Sequence, residues 1–264
     1  MNDNMNPNKG ILQMKAANRN FSISRHKPSE HLRFFIQHYW IVDWNLTGKS
    51  PHRQEVLQHP GVNIIFQRGL SRINGIESKK STYILQGEGR IVGVLYRPGA
   101  FHCYRGIPMT ALTNRTASIS EFFPFDAKTA ENEIFAHASL DNILVGLETL
   151  LTQNLPQPDQ NVDLLNRIID RMIEDRSIIR VEIIVKDFHI SHRTLQRLFK
   201  QYIGVSPKWV IKRYRMHEAS EAIEKGADIA HLALELGYFD QAHFSKDFKE
   251  VIGKSPKDYA NLSR

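Results

Sequence analysis

The last hundred or so residues of this 264-residue chain contain one segment twice. Gln196–Val210 (QRLFKQYIGVSPKWV) and Ser245–Tyr259 (SKDFKEVIGKSPKDY) align at an offset of 49. Seven of the fifteen pairs are identical: Phe199/Phe248, Lys200/Lys249, Ile203/Ile252, Gly204/Gly253, Ser206/Ser255, Pro207/Pro256 and Lys208/Lys257. An internal repeat reveals a supersecondary unit used more than once, and two copies are too few for a solenoid. They suit a device that grips a periodic partner at two points.

Each copy parses into the same elements. Val162–Glu174 carries Leu164, Leu165, Ile168, Ile169 and Met172 at helical spacing. Val181–Phe188 is a short helix with Val181, Ile184, Val185 and Phe188 inward, and His189-Ile190 makes a tight turn. Ser191 caps the next helix, whose Leu195, Leu198, Phe199 and Tyr202 form an i, i+3, i+4, i+7 apolar stripe ending at Gly204. Ser206 caps a helix with Pro207 at its first position, running to about Glu224. Asp228 caps Ile229–Leu236, Gly237 turns the chain, and Asp240 caps Gln241–Ile252 before Gly253. Short helix, tight turn, capped helix is the helix-turn-helix pattern, here present twice. Before the turn the copies align at an offset of 48 and after it at 49, so the second turn holds one extra residue.

The formal net charge is +7 with a pI near 9.4, which permits an anionic partner without naming one. Local charge is more telling. From Phe188 to His217 there are seven basic residues (Arg193, Arg197, Lys200, Lys208, Lys212, Arg213 and Arg215) and no acid. With the apolar stripe of the first unit buried, Arg193, Arg197 and Lys200 face outward at i, i+4, i+7, with Gln196 alongside and His192 in the first turn. Arginine donates two hydrogen bonds to guanine O6 and N7, glutamine pairs with adenine N6 and N7, and a helix fits the major groove. The bland alternative is a solvated charged face. It requires the acid-free stretch, the turn and the repeat to be coincidental. In the second unit the outward positions are Gln241, Ala242, Ser245, Lys246 and Lys249, with His243 flanking. Ala242 stands where the first unit has Arg193, and Ser245 where it has Gln196. Ser191, Lys208 and Lys212 are candidates for phosphate contact. Arg215 reads equally well as a structural residue between the two units. The helix Pro207–Glu224, eighteen residues, spans about 27 Å. Successive major-groove faces lie about 34 Å apart, so this rod can hold both units on one side of a duplex.

SHRTLQRLFKQYIGVSPKWVIKRYRMHEASEAI followed by DIAHLALELGYFDQAHFSKDFKEVIGKSPKDY resembles the AraC/XylS family of bacterial transcription regulators over roughly residues 175–260. The resemblance rests on GY-x-DQ-x-HF and F-x-x-x-x-G-x-SP. It implies a seven-helix DNA-binding domain, with reading residues at Arg193, Gln196 and Arg197, then Gln241, His243, Ser245 and Lys246. Members usually have glycine where this chain has His189. Histidine tolerates positive φ better than most residues, so a strained but intact turn is expected.

The fold class expected is α+β with two domains: an N-terminal mixed, β-rich sensor domain and a C-terminal all-α domain with two helix-turn-helix units. Residues 1–20 read as a disordered tail, 21–152 as the sensor or dimerisation domain, 153–160 (QNLPQPDQ) as a linker, and 161–264 as the DNA-binding domain. A helix is expected from Ser29 through Ile36. Strands are expected at His38–Trp44, Glu55–Gln58, Val62–Phe66, Tyr83–Gln86 and Ile91–Leu95, and helices at Ala127–Ala136 and Leu140–Leu151. The N-terminal part resembles, through HYW, HPGVNIIF and RPGAF, the sensor-type domains that precede such DNA-binding domains. In that family they bind a small effector, dimerise, or both. Trp40, Trp44, Phe66, Tyr96 and Phe101 read as core or as pocket lining. His52, His59 and His102 fit no recognised ligand spacing, so no metal and no cofactor is expected, nor any catalytic residue. Cys103 is the single cysteine. The expected partner is double-stranded promoter DNA, with RNA polymerase, a small-molecule effector and a homodimer partner as further candidates. No membrane span is read, and the cytoplasm is the expected location.

Two other functions compete with a sequence-specific regulator, activator or repressor. One is an enzyme with a helical DNA-targeting appendage, which needs an activated Cys103 or a metal site. The other is a general DNA-coating protein. The first unit offers more bidentate donors than the second, so it supplies most of the base discrimination. Arg197→Ala therefore relaxes sequence preference more than Lys246→Ala, by about 1–3 kcal/mol at the affected base pair, as measured by competition with single-base variants of a selected site.

Overall fold

The computed structural model describes residues 10–137 and 139–262. Eight strands form the N-terminal half: β1 (Ser22–His26), β2 (Ile36–Leu46), β3 (His52–Val56), β4 (Asn63–Phe66), β5 (Arg72–Asn74), β6 (Ser81–Leu85), β7 (Gly87–Tyr96) and β8 (Thr116–Ala117). Six make an antiparallel sheet in the order β1-β2-β7-β4-β5-β8, and β3 pairs with β6 in a separate two-stranded sheet. The long β2–β7 pairing is its spine, with Tyr39 opposite Val94 and Trp40 opposite Gly93. A Cβ at Gly93 would lie 1.9 Å from the Trp40 ring, so this strand position has room for nothing larger than glycine. Side chains alternate across β2. Tyr39 and Ile41 are buried in the core on one face, while His38, Trp40 and Val42 on the other line a cavity beneath β3 and β6.

The helices are α1 (Met14–Ala17), α2 (Ala127–Phe135), α3 (Leu140–Thr152), α4 (Gln160–Glu174), α5 (Val181–Asp187), α6 (His192–Leu198), α7 (Pro207–Glu224), α8 (Ile229–Glu235), α9 (Gln241–Ile252) and α10 (Pro256–Leu262). Among the described residues, seven of them lie from Gln160 onward. The architecture is a mixed β/α N-terminal part and an all-α C-terminal part.

Three expectations need correction. The helix from Ser29 to Ile36 is one 3-10 turn, Glu30–Leu32, and the chain is already in β2 at Ile36. The Ser29 N–H donates to Glu148 Oε1 (2.7 Å) and Leu32 and Phe35 are buried, so packing rather than helical propensity fixes this stretch. The strands β1, β5 and β8 escaped notice because SISRH, RIN and TA lack the apolar alternation of a half-buried strand. Finally, only residues 1–9 of the expected disordered tail lie outside the described residues. Gly10–Asn20 is held in place: Leu57 N–H donates to Gly10 O (2.7 Å), Leu12 N–H to Glu55 O (3.1 Å), and Leu12 and Ala17 are buried. The apolar pair is joined by hydrogen bonds from Gln13 and Met14 N–H to the Glu224 carboxylate (2.8 and 3.2 Å), none of which the polar sequence signals.

The expected linker is irregular up to Asp159, which caps α4 through Asn161 N–H. It does not separate two cores. One apolar core runs from Tyr39, Val94 and Phe101 through Leu165, Ile168 and Leu195 to Val210 at the start of α7. A second core holds Met216, Leu232, Phe244, Phe248 and Tyr259, and it includes Leu12 and Leu57 from the N-terminal half. Each helix-turn-helix unit is thus docked on the β part through its own core.

Glu55 on β3 ties the second unit down, accepting from Lys80 Nζ (2.7 Å) and from Lys254 Nζ (3.1 Å). Burial pushes the Glu55 carboxyl up, but the hydrogen bonds from Lys80 and Lys254 outweigh it and hold its pKa below the usual value. A depressed folded-state pKa contributes stability above the unfolded pKa and loses it as pH falls through the folded pKa. Glu55→Gln is therefore expected to lower the thermal midpoint at pH 7 by about 2–4 °C, the effect of about 1 kcal/mol in a chain of this size. The difference from wild type should shrink as the pH is taken down through the carboxylate range.

Candidate nucleic-acid interface

The geometry of the first unit follows from its caps and its stripe. Ser191 Oγ accepts from Thr194 N–H (3.1 Å), closing the N-terminus of α6. His189, in the turn, has φ 50°, the left-handed conformation expected where glycine is usual. Leu195, Leu198 and Phe199 are 0%, 1% and 0% exposed. That burial leaves His192, Arg193, Arg197 and Lys200 exposed, with Gln196 half-buried beside them. One local feature was not foreseen: α6 widens into a π-turn over Phe199–Ile203, and Gly204 N–H donates to Phe199 O (2.8 Å). Gly204 has φ 95°, and its Cβ would lie 2.6 Å from Thr113 Oγ1 and 2.7 Å from Met109 O. Glycine both ends the helix and lets the 109–113 loop dock on it, with Thr113 Oγ1 donating to Gly204 O (2.8 Å).

In the second unit Asp240 Oδ1 accepts from His243 N–H (2.7 Å). Phe244, Phe248 and Ile252 of α9 are fully buried. Gln241, Ala242, His243, Lys246 and Lys249 are exposed and Ser245 is half-buried. The same side of each capped helix is therefore turned outward.

Of the phosphate-contact candidates, Ser191 and Lys208 are exposed, the former with its hydroxyl engaged as a cap. Lys212 donates to Asp247 Oδ1 (2.8 Å) and Glu250 Oε2 (3.0 Å) on α9. Burial works against its charge, but these two carboxylates outweigh that and raise its pKa. Arg213 does not join the outward basic surface. It is 2% exposed, donates to Glu77 O (3.1 Å) and Ser78 O (2.8 Å), and stacks over the Trp209 ring at 4.4 Å. Burial pulls its pKa down to about 10, opposed by Glu77, so it remains a cation at neutral pH. Arg215 is likewise structural: it donates to Leu236 O and lies 4.1 Å over the Tyr238 ring. The sequence signalled seven basic residues, and the structure turns only part of that set outward.

In the N-terminal half, β2, β3, β4 and β6 enclose a cavity of about 120 Å³. Of the five aromatic candidates only Trp40 lines it; Phe66, Tyr96 and Phe101 are core, and Trp44 donates to Gln86 O (3.1 Å). Sequence reasoning missed Arg25, His38, Gln54 and Gln58, which also line it. A polar side chain in a strand reads as a solvent-facing position, and only period-2 continuity with Trp40 pointed to His38. Burial and the nearby Arg25 charge pull the His38 pKa down to about 3, so it is neutral. His52, His59 and His102 have separate partners: Gln54 Oε1 (3.1 Å), the His217 ring (4.5 Å, stacked) and Ile107 O (2.8 Å). Burial, with Asp159 nearby, pushes Cys103 up to about 11, the opposite of an activated thiol. Among the described residues, no helix is long and apolar enough to cross a membrane.

With two capped, outward-facing helices joined by one rod, the class is a double helix-turn-helix protein. Residues 184–261 match the family described as a helix-turn-helix domain, and residues 24–118 match a domain of unknown function (DUF6597). Over that C-terminal double helix-turn-helix domain the chain is similar to the AraC/XylS family. It is 33% identical over 116 residues to the HTH-type transcriptional activator RhaS of Escherichia fergusonii, covering 42% of this chain and 41% of that one. RhaS of Escherichia coli strain SE11 is 26% identical over 139 residues, covering 50% and 49%. The chain thus spans half or less of the length of these curated relatives. Among solved structures, the C-terminal domain of the response regulator AraT from Geobacillus stearothermophilus is 27% identical, covering 37% of this chain and 84% of that one with a TM-score of 0.36. ToxT from Vibrio cholerae is 13% identical, covering 92% and 98% with a TM-score of 0.40.

Arg213 supplies a test that separates structure from nucleic-acid contact. Arg213→Met roughly keeps the volume but leaves the half-buried Glu77 and Ser78 carbonyls without their donor, and is expected to destabilise the fold by about 1–3 kcal/mol in urea unfolding. It should leave the slope of log K against log salt for DNA binding unchanged. Loss of a true phosphate contact flattens that slope by about 0.9.

Proposed function

We propose that this chain is a sequence-specific transcription regulator that places α6 and α9 in successive major grooves of promoter DNA. The observation that carries the reading is the complete burial of one face of each helix, which leaves Arg193, Arg197 and Lys200, then Gln241, Lys246 and Lys249, directed outward. In this reading Arg193, Gln196 and Arg197 contact base edges, as do Gln241, His243, Ser245 and Lys246. His192, Lys200 and Lys249 flank them, and Ser191 and Lys208 approach phosphates through the exposed backbone and ammonium. Lys212 serves as a phosphate contact only by leaving Asp247 and Glu250. Residues 161–264 carry DNA binding, residues 21–152 sense or dimerise, and 153–160 connects them.

The cavity lined by Trp40, His38, Arg25 and Gln58 is the site for a small-molecule effector in this proposal, and its size suits a molecule of about one small ring. The RhaS relatives are activators by name. Activation, with contact to RNA polymerase, is the outcome proposed here, with a second copy of the chain on a repeated half-site and the cytoplasm as the place of action. A Cys103-dependent enzyme is disfavoured by that thiol's raised pKa.

Selection from a random duplex pool tests the central claim. Wild-type protein should enrich one site holding two half-sites about one helical turn apart, bound roughly 10³-fold or more tightly than random DNA at physiological salt. Arg193→Ala with Arg197→Ala should abolish that enrichment. Equal affinity for every sequence would establish a DNA-coating protein instead.

A further inference from the structure

The one-residue difference between the two turns can be assigned to a single residue. His189 and Gly237, both at positive φ (50° and 72°), occupy the same place in the turn at an offset of 48. The next residues also correspond at 48, since Ile190 N–H donates to Val185 O (3.2 Å) and Tyr238 N–H to Ala233 O (2.9 Å). The caps that follow, Ser191 and Asp240, each bond the N–H three residues on and correspond at 49. The inserted residue is therefore Phe239, which has no counterpart in the first unit.

Phe239 has no inward task. A hydrophobic residue just before an N-cap ordinarily packs on the fourth residue of its helix, here Phe244. Tyr238 holds that place instead, with its ring 5.3 Å from Phe244 and 5% of its surface exposed. Phe239 is 91% exposed, the most exposed large apolar side chain among the described residues. It immediately precedes the capped end of α9, and Gln241 and Ala242, the first two residues of that helix, are exposed as well. The N-terminal residues of a recognition helix are those that meet base edges. The apolar group on a base edge in the major groove is the C5-methyl of thymine, which alanine and phenylalanine contact.

We propose that Phe239 is a specificity-determining residue of the second unit, packing with Ala242 against the C5-methyl of a thymine. This rests on the reading of α9 as a DNA-reading helix. The two units then differ in chemistry: the first reads through arginine and glutamine hydrogen bonds, while the second adds an apolar contact from an inserted side chain.

The experiment uses the full chain and the duplex it selects from a random pool. Each thymine of the second half-site is replaced in turn by deoxyuridine, which lacks only the methyl group. One replacement should weaken wild-type binding about fourfold, the weight of one buried methyl. The same replacement should weaken Phe239→Ala by less than about twofold, the remainder being the Ala242 contact, and Phe239→Ala should bind the thymine duplex about as weakly as wild type binds the deoxyuridine one. An unchanged circular dichroism spectrum and thermal midpoint would show that this surface variant folds. The proposal is overturned if Phe239→Ala still senses every deoxyuridine as wild type does. It is equally overturned if the variant loses affinity for all sequences alike, which would place the ring on sugar and phosphate. A wild type that selects no site at all would instead sink the DNA-reading assignment itself, so the two failures are distinguishable.

Discussion

What turns outward on α6 and α9 is decided by what each of them buries. Leu195, Leu198 and Phe199 on α6, and Phe244, Phe248 and Ile252 on α9, occupy almost entirely dry positions. Each such side chain contributes about 1.5–3 kcal/mol when fully removed from water. Rotating either helix by a quarter turn would expose several of them and cost far more than any outward basic residue gains from a surface contact. The orientation of Arg193, Arg197, Lys246 and Lys249 is therefore a consequence of apolar packing. The caps at Ser191 and Asp240 set only where each helix begins.

The same reasoning explains why the two units are fixed against the β part rather than hung from it. The first shares its core with Tyr39, Val94 and Phe101, and the second takes in Leu12 and Leu57. Between them runs α7, and its buried Arg213 carries a desolvation cost. The Glu77 and Ser78 carbonyls accept from its Nη2 and the Trp209 ring covers its face, which offsets part of the desolvation cost, while Nη1 is buried without a hydrogen bond. Such a contact is specific in direction: carbonyls displaced by an ångström would leave the charge without adequate partners. It therefore fixes how α7, and with it the spacing of the two heads, sits on the β6 end of the sheet.

Much of the C-terminal half was legible in the sequence because its signals are local. Caps, apolar spacing and the glycines at 204 and 253 each act within four residues, and α7 and α9 have the bounds that these signals predict. The N-terminal half was less legible because its determinants are pairings between distant segments. β1 is a strand because β2 lies beside it, not because SISRH favours one. At the candidate site the outward residues of α6 and α9 could be read from periodicity. The fates of Lys212, Arg213 and Arg215 could not. A basic residue on a helix looks the same in sequence whether it meets solvent, a carboxylate on the next unit, or a carbonyl pair 135 residues away. The cavity residues Arg25, His38 and Gln58 were hidden for a related reason: nothing local separates a polar residue facing a cavity from one facing water.

The repeat also shows how one unit can be used twice without duplicating its function. Several inward residues of the two copies are apolar equivalents (Leu195 and Phe244, Phe199 and Phe248, Ile203 and Ile252), although Leu198 corresponds to Asp247, whereas most outward ones apart from Lys200 and Lys249 have diverged. Arg193 corresponds to Ala242, Gln196 to Ser245 and Arg197 to Lys246. Guanidinium and carboxamide groups fix two hydrogen bonds in a plane, while an ammonium acts as a point charge without that geometry. A partner with two identical grooves would favour two identical probes. On the proposed reading, unequal probes on one rod make the two halves of a site distinguishable, so that a single chain sets the direction in which it lies along the duplex.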